Sequence, residues 1–460
     1  MSSPRAAQLT SAIDQEMPGV RADLERLVRI PSVSFPGHDH TQIRRSAELT
    51  AELFAGCGLT SRIVEAGGQP AVLGHRPGPA GAPSVLLYAH HDVQPAGDRD
   101  LWDSEPFEAT ERGGRLYGRG AADDKAGIMV HVAALRALNR VLGNELPLGV
   151  TVFIEGEEEH GTGATLRLIE QHQADLASDV IVVADAGNWD VGVPSLTTTL
   201  RGGAYCVVEV RTLNHGVHSG VFGGVVPDAL TVLCRLVATL HDSAGDVAVE
   251  GLRRSSGPPL EYPPERLRVE AGLVPGAGFV GTGPLVDRLW AKPALAILGM
   301  DAPSVAQAAG TIIPAARAVV GLRTAPGEDP HEAFEAMRRH FEKQECWGAQ
   351  LSVTLVGAAT GCVIDSTGPL YDVARAAIRE AWDGVEPVEI GSGGSIPLVT
   401  ELKRRFPAAT ILVTGVEDPD TRAHSPNESL HLGEFRRACL AEALLLARLG
   451  APWPGQAATA

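Results

Sequence analysis

The sequence has no uninterrupted apolar stretch near the ~18–20 residues that a bilayer-spanning helix needs. No helical membrane span is therefore expected. The opening segment, MSSPRAAQLTSAIDQEM, lacks the apolar core of a secretion signal, so a cytoplasmic protein is expected. Positive charge is scarce, with 39 Lys and Arg against 56 Asp and Glu and a net charge of −17. That balance argues against non-specific nucleic-acid binding, which needs a basic face. Cysteine is sparse too. Cys57, Cys206, Cys234, Cys346, Cys362 and Cys439 lie far apart and none forms C-x-x-C, which argues against a zinc ribbon or a redox pair. Reduced core or near-surface thiols are expected instead. Asn427-Glu428-Ser429 fits the glycosylation pattern, but without a secretion signal it is read as chance. Internal repeats and low-complexity segments are absent.

What is present is an alternation of strand-like and helix-like runs. At 460 residues the chain exceeds one typical core, so two or three domains are expected. Residues 8–30 read as an amphipathic helix ending at Pro31, and 43–56 as a second helix. Strands and helices then alternate to about residue 195, the pattern of a parallel sheet covered by helices. Near 200 the character changes. Ala204, Cys206, Val208 and Val210 alternate with Tyr205 and Val207, which reads as an antiparallel strand with one open face. Helix 228–241, strand 312–323, helix 331–344 and strand 351–356 follow, with a Pro- and Gly-rich excursion at 252–285. This outline is ferredoxin-like. After 360 the alternation resumes. Helix 369–382, strand 386–390, helix 396–405, strand 410–415 and helix 432–449 are expected to complete the first sheet. The reading is a discontinuous domain of 1–199 and 360–460, with 200–359 inserted.

Three apolar runs end in groups that bind metals or protons. Val85-Leu86-Leu87-Tyr88 leads to His90-His91-Asp92, Val150–Ile154 to Glu157-Glu158-Glu159, and Val180–Val183 to Asp185. Parallel α/β sheets bind ligands at the carboxyl ends of their strands. Residues 90 and 92 of an extended chain share a face, and His91 does not. Each group also has a plain reading. His-His-Asp could be a solvated strand end. Asp123-Asp124, before a helix, could cap it. The Glu run could be an exposed acidic loop, Asp185 a turn residue and His424 a solvated loop histidine. If the Glu run lies at a metal site, one Glu can bind while its neighbour acts as a base. Which of Glu157, Glu158 and Glu159 does which stays open on this evidence.

In order and context, however, the segments YAHHDVQPAG (88–97), LYGRGAADDKAG (116–127), IEGEEEHGTGA (154–164), VADAGNW (183–189), HSGVFGG (218–224), GTIIP (310–314), GGSIP (393–397) and AHSPNES (423–429) resemble a known family. It is the dinuclear metallohydrolase family of carnosinases and related dipeptidases, aminoacylases, carboxypeptidase G and succinyl-diaminopimelate desuccinylase. The match spans almost the whole chain and is nearest the dipeptidase branch. The resemblance implies an α/β fold: a zinc-exopeptidase-like catalytic domain with a mostly parallel sheet, plus an inserted ferredoxin-like lid and dimerisation domain. It implies two divalent metals, zinc first, with manganese or cobalt as alternatives. His90, Asp123 and Asp185 would hold one. Asp123, Glu159 and His424 would hold the other, with Asp123 bridging. Glu158 would be the general base and acid, supported by Asp92. Three ligand carboxylates against two divalent cations leave about one positive charge, suited to a hydroxide nucleophile.

In the inserted domain the same resemblance implies a homodimer in which His218 reaches the partner's site and stabilises an oxyanion. Thr311 and Arg323 would contact substrate, Arg323 through the planar fork that suits a carboxylate. A surface salt bridge is the plain alternative for Arg323. Gly391-Ser392-Gly393-Gly394-Ser395 precedes a helix with Pro397 near its start. Free backbone N–H groups there make an anion site. The Walker Lys is missing, so a substrate carboxylate fits Gly393, Gly394 and Ser395 better than a nucleotide phosphate. Relatives such as carnosinase carry an Arg-Glu pair ahead of the Gly-Gly, and this chain has Gly391-Ser392 instead. The expected reaction is hydrolysis of dipeptides or similar small amides with a free carboxylate, by a metal-activated water with a Glu base. An N-acyl or N-carbamoyl amino-acid amidohydrolase is the alternative. A non-catalytic binding protein on this fold is the third reading. Neither nucleic acid nor membrane is expected as a partner.

Overall fold

The computed structural model describes residues 4–143, 146–394 and 396–450. The chain divides into two compact units. The first comprises Met1–Thr197, Asp365–Val388 and Glu401–Ala460, the second Thr198–Ile364 and Glu389–Thr400. Among the described residues no helix is long and apolar enough to cross a membrane.

The first unit is built on a six-stranded mixed sheet. Its order is Thr60–Val64, Ala71–Arg76, Gly149–Glu155, Ser84–His90, Val180–Val183 and Thr410–Val413. The last four run parallel, and Ala71–Arg76 is antiparallel to both neighbours. Val85–Ala89, Val150–Ile154 and Val180–Val183 are buried almost without a break. Continuous rather than alternating apolar runs are what strands covered on both faces require. Helices Pro4–Val28, Lys125–Leu142, Pro369–Ala381 and Leu432–Leu449 pack against one another in this unit, and Thr41–Gly56 packs on the antiparallel strands. Lys125 is fully buried and donates from Nζ to the carbonyls of Leu27 and Ile30, at 2.8 and 2.7 Å. A cation there satisfies carbonyls left over at the end of the first helix. Burial lowers this ammonium to about 7.

The second unit is a four-stranded antiparallel sheet in the order Ala294–Asp301, Ala315–Thr324, Gly202–Arg211, Gln350–Ala359. With helices Ala229–Ala238 and Pro330–Glu342 the chain order is βαββαβ, the ferredoxin-like arrangement. Ala204, Cys206, Val208 and Val210 pack under Val232, Leu233, Phe334 and Met337. Asp228 caps its helix by accepting from Thr231 N at 2.8 Å.

Two readings from sequence need correction. Strand Ala294–Asp301 was not anticipated. It lies at a sheet edge and exposes Ile297, Leu298 and Met300, so it lacks the alternation that reveals a half-buried strand. The strand expected at 386–390 forms at Val388–Ser392, but it does not complete the first sheet. It joins Ser195–Leu200 and Cys362–Val363 in a separate three-stranded sheet. Apolar pattern alone does not say which strand edge a segment pairs with.

Candidate metal centre

His90 is the last residue of Ser84–His90, and Asp185 follows Val180–Val183 after one residue. Register places His90 opposite Glu155 and Tyr88 opposite Val183, so the three strand ends lie side by side. His91 faces the other way, donating from Nε2 to the Pro70 carbonyl, 2.9 Å away. Its burial lowers the imidazole to about 4. It is a packed, not a solvated, histidine.

Two groups of donor atoms within 4.8 Å of one another could each hold a metal ion. The first is His90, Asp123 and Asp185, the second Asp123, Glu159 and His424. His90 Nε2 lies 3.1 Å from Asp123 Oδ1 and 3.8 Å from Asp185 Oδ1. His424 Nε2 lies 3.0 Å from Asp123 Oδ2 and 3.2 Å from Glu159 Oε2. The two oxygens of Asp123 therefore face different imidazoles, as a bridging carboxylate requires. Imidazole with carboxylate is a donor set for Zn²⁺, Mn²⁺ or Co²⁺.

The electrostatics favour cations. Burial pushes the Asp185 carboxyl well above its usual value, and the charges of Asp124, Glu158 and Asp123 add to this against the pull of His90. Burial would raise Asp123 as well, but hydrogen bonds from His424 and His90 hold it below the carboxylate range. His424 is raised to about 10 by its hydrogen bonds to Asp123 and Glu159. Protons thus sit where divalent ions would stabilise the same carboxylates without them.

Around these donors the chain fixes orientation. Asp92 is fully buried, and its Oδ1 and Oδ2 accept from the amides of Glu158 and Glu159 at 3.2 and 3.1 Å. Oδ1 also lies 3.4 Å from His90 Nδ1, which makes a 3.1 Å bond with the Asp92 carbonyl. A proton on Nδ1 leaves the Nε2 lone pair for a metal. Asp124, which could have capped the following helix, makes no side-chain cap. Its Oδ2 instead accepts from His90 N at 3.1 Å.

The three glutamates separate by their partners. Glu157 accepts from Gln69 N, Thr162 N and Oγ1, Ala164 N and Thr165 N, so it holds the start of helix Ala164–Gln171. Glu159 faces His424 and accepts from Gln94 N at 3.1 Å and Nε2 at 2.6 Å. Among the described residues the Glu158 carboxylate takes no hydrogen bond. Burial, with the charges of Glu155, Glu159 and Asp92 against that of His90, raises it to about 8. Such a carboxyl can take up and return a proton near neutral pH. Gln94 was not singled out from sequence, and Asp124 was read there as a helix cap, which the structure corrects. Both sit within the quoted motifs, two residues or one from a candidate site residue, and that adjacency was the available signal.

In the second unit His218 and Thr311 are cross-strand partners, both exposed. His218 Nδ1 accepts from Gly220 N at 3.0 Å. Arg323 is half-buried with its guanidinium 5.8 Å from the centre of the Tyr205 ring, and it makes no salt bridge among the described residues. Gly393 and Gly394 follow strand Val388–Ser392. Arg201 donates to the Gly393 carbonyl at 3.3 Å, and Gly394 N donates to Ser392 Oγ at 3.1 Å. Ser395 lies outside the described residues. At Gly391 an added Cβ would stand 2.5 Å from Trp290 Cβ and 2.6 Å from Thr199 Oγ1. An arginine there would collide with Trp290, which accounts physically for the glycine.

A mixed α/β sheet with carboxylates and imidazoles converging at its strand ends, and a raised glutamate beside them, defines a metal-dependent hydrolase. Comparison with known proteins makes this specific. A family model described as Peptidase family M20/M25/M40 matches residues 86–448. The chain belongs to that family of hydrolytic enzymes, whose metallopeptidases use divalent metals. It is 35% identical over 375 residues to the cysteinylglycine-S-conjugate dipeptidase of Corynebacterium striatum, covering 80% of this chain and 82% of that protein. It is 30% identical over 372 residues to the Beta-Ala-His dipeptidase of Rattus norvegicus, covering 76% and 73%. Among solved structures, the dipeptidase Dug1p of Saccharomyces cerevisiae matches with a TM-score of 0.82 at 23% identity, over 97% of this chain and 99% of that one. Human carnosine dipeptidase 1 matches with a TM-score of 0.80 at 24% identity, over 98% and 100%. At these identities the structural matches speak for the fold alone.

Proposed function

We propose that the protein is a dinuclear metallodipeptidase that hydrolyses dipeptides bearing a free carboxylate. One observation carries this reading: two donor groups share Asp123, and beside them stands one raised carboxyl, Glu158, that takes no hydrogen bond among the described residues. The relatives named above at 30% identity or more are dipeptidases, which does not favour the amidohydrolase alternative. Every candidate ligand and the base are present, which speaks against a non-catalytic binding protein.

When bound, the two cations polarise the scissile carbonyl and make water acidic enough to lose a proton. His90, Asp123 and Asp185 would hold one ion, and Asp123, Glu159 and His424 would hold the other. Zinc is the first candidate, manganese and cobalt the alternatives. Glu158 accepts the proton of the attacking water and returns it to the leaving amine. Asp92 keeps the Glu158 and Glu159 backbone and the His90 ring in register. His218 of a second copy stabilises the oxyanion, so the working unit is a homodimer. Arg323, Thr311 and the amide of Gly393 receive the substrate carboxylate, and the amide of Gly394 joins them on giving up its bond to Ser392 Oγ. The inserted segment 200–359 acts as the lid and dimerisation domain. The six cysteines are free, consistent with a cytoplasmic enzyme.

The test is a substrate panel with metal-reconstituted protein. Dipeptides, including Cys-Gly and β-Ala-His, are assayed beside N-acetyl, N-succinyl and N-carbamoyl amino acids. Dipeptides are expected to lead in kcat/KM. Turnover confined to the N-acyl or N-carbamoyl compounds refutes the assignment.

A further inference from the structure

We infer that Glu428 is a positioning residue that locks the Asp123 loop to the His424 loop and thereby sets how tightly the second cation is held. This inference rests on the two-cation reading above. Glu428 is fully buried, four residues after His424. Its Oε1 accepts from Ala122 N at 3.0 Å and Asp123 N at 3.1 Å. Its Oε2 accepts from Gly120 N at 3.0 Å and Arg119 Nη1 at 2.5 Å. One carboxylate thus gathers three backbone donors from the turn that presents Asp123. All its partners are donors, so only an acceptor-only group satisfies them.

Arg119 completes the clamp. It is buried, and its Nη2 donates to the carbonyls of Pro95 at 3.4 Å and Ser425 at 3.3 Å. Arg119 is the counter-ion of Glu428, and together they tie the two loops. The backbone bonds agree. Gly118 N donates to the Glu428 carbonyl at 3.0 Å, and Ser429–His431 pairs with Arg115–Tyr117.

The His424 loop needs such a clamp. Arg422, His424 and Asn427 have φ of 57°, 63° and 62°, in the left-handed region that non-glycine residues rarely adopt. Residues in that region persist where the surroundings over-determine them. Asn427 is held by Asp103 N at 3.0 Å and the Leu101 carbonyl at 3.2 Å, and Glu428 anchors the loop's far end. Of the second donor group, Asp123 and His424 both depend on this clamp. Of the first, only Asp123 does.

The test is calorimetric titration of zinc into metal-free wild type and Glu428→Gln, with kcat and KM measured against free zinc. Glutamine turns an NH₂ toward donors. The expected result is a second equivalent weakened by ~10–100-fold with the first little changed, since removing groups that orient ligands has effects of that size. Raising free zinc by the same factor then restores kcat at unchanged KM. An unweakened second equivalent in folded Glu428→Gln overturns the inference, as does a change confined to KM. Arg119→Lys keeps the charge and loses the fork. It serves if Glu428→Gln does not fold: a weakened second equivalent supports the inference and an unchanged one overturns it. If wild type itself binds fewer than two equivalents, the two-cation reading fails instead.

Discussion

Removing the metals is expected to destabilise the protein by an amount that grows with pH. In the metal-free centre Glu158 moves from an ordinary 4.5 to about 8. Its folded form keeps a proton that the unfolded chain releases, so stability falls as pH rises between those values. Asp185, raised by burial and by its acidic neighbours, acts in the same direction. His424 moves from 6.5 to about 10. Its contribution is fully present below 6.5 and is lost as pH rises toward 10. Asp123 is held below its ordinary value, so its contribution is lost only in acid, outside this window. At ~1.4 kcal/mol per pH unit the ceiling for Glu158 is about 5 kcal/mol. Its partial exposure reduces this to roughly 2–3 kcal/mol, or roughly 2–5 °C in Tm for a chain of this size. Bound cations need deprotonated ligands and so bind more tightly as pH rises. The assay is thermal melting of chelated and zinc-reconstituted protein at several pH values across this window. The gap should widen with pH, and chelated Glu158→Gln, which cannot titrate there, should show a flatter slope. A chelated Tm that is flat or rises across the window refutes the reasoning.

Three substitutions test individual residues. Glu158→Gln should retain metal content and fold yet lose ~10²–10⁴-fold in kcat, read by steady-state kinetics beside elemental analysis. Asp92→Ala removes the acceptor shared by Glu158 N, Glu159 N and His90 and should weaken metal binding by ~10–100-fold, measured by competition with a chelating dye. Gly391→Ala places a Cβ against Trp290 and Thr199 and should cost about 1–3 kcal/mol, seen as a lower midpoint in denaturant without loss of bound metal.

The strand ends that carry the centre were legible because parallel strands buried on both faces leave continuous apolar runs, and Ser84–His90, Gly149–Glu155 and Val180–Val183 have them. The choice among Glu157, Glu158 and Glu159 was not legible from spacing. Adjacent loop residues are aimed by distant donors, here Gln69, Thr162 and Ala164 for Glu157 and Gln94 for Glu159. His424 read alone as a solvated histidine, and its side chain is indeed 57% exposed. What sets it apart is its approach to Asp123 and Glu159, which no local pattern encodes. Strand Ala294–Asp301 escaped notice because its apolar side chains are exposed. Val388–Ser392 was legible as a strand but not in its pairing.

The central claim is that two cations share Asp123. Diffraction from zinc-reconstituted crystals at the zinc absorption edge tests it most directly. The account predicts two anomalous peaks per chain, one contacted by His90, Asp123 and Asp185 and the other by Asp123, Glu159 and His424. A single peak, or two peaks without Asp123 between them, contradicts it.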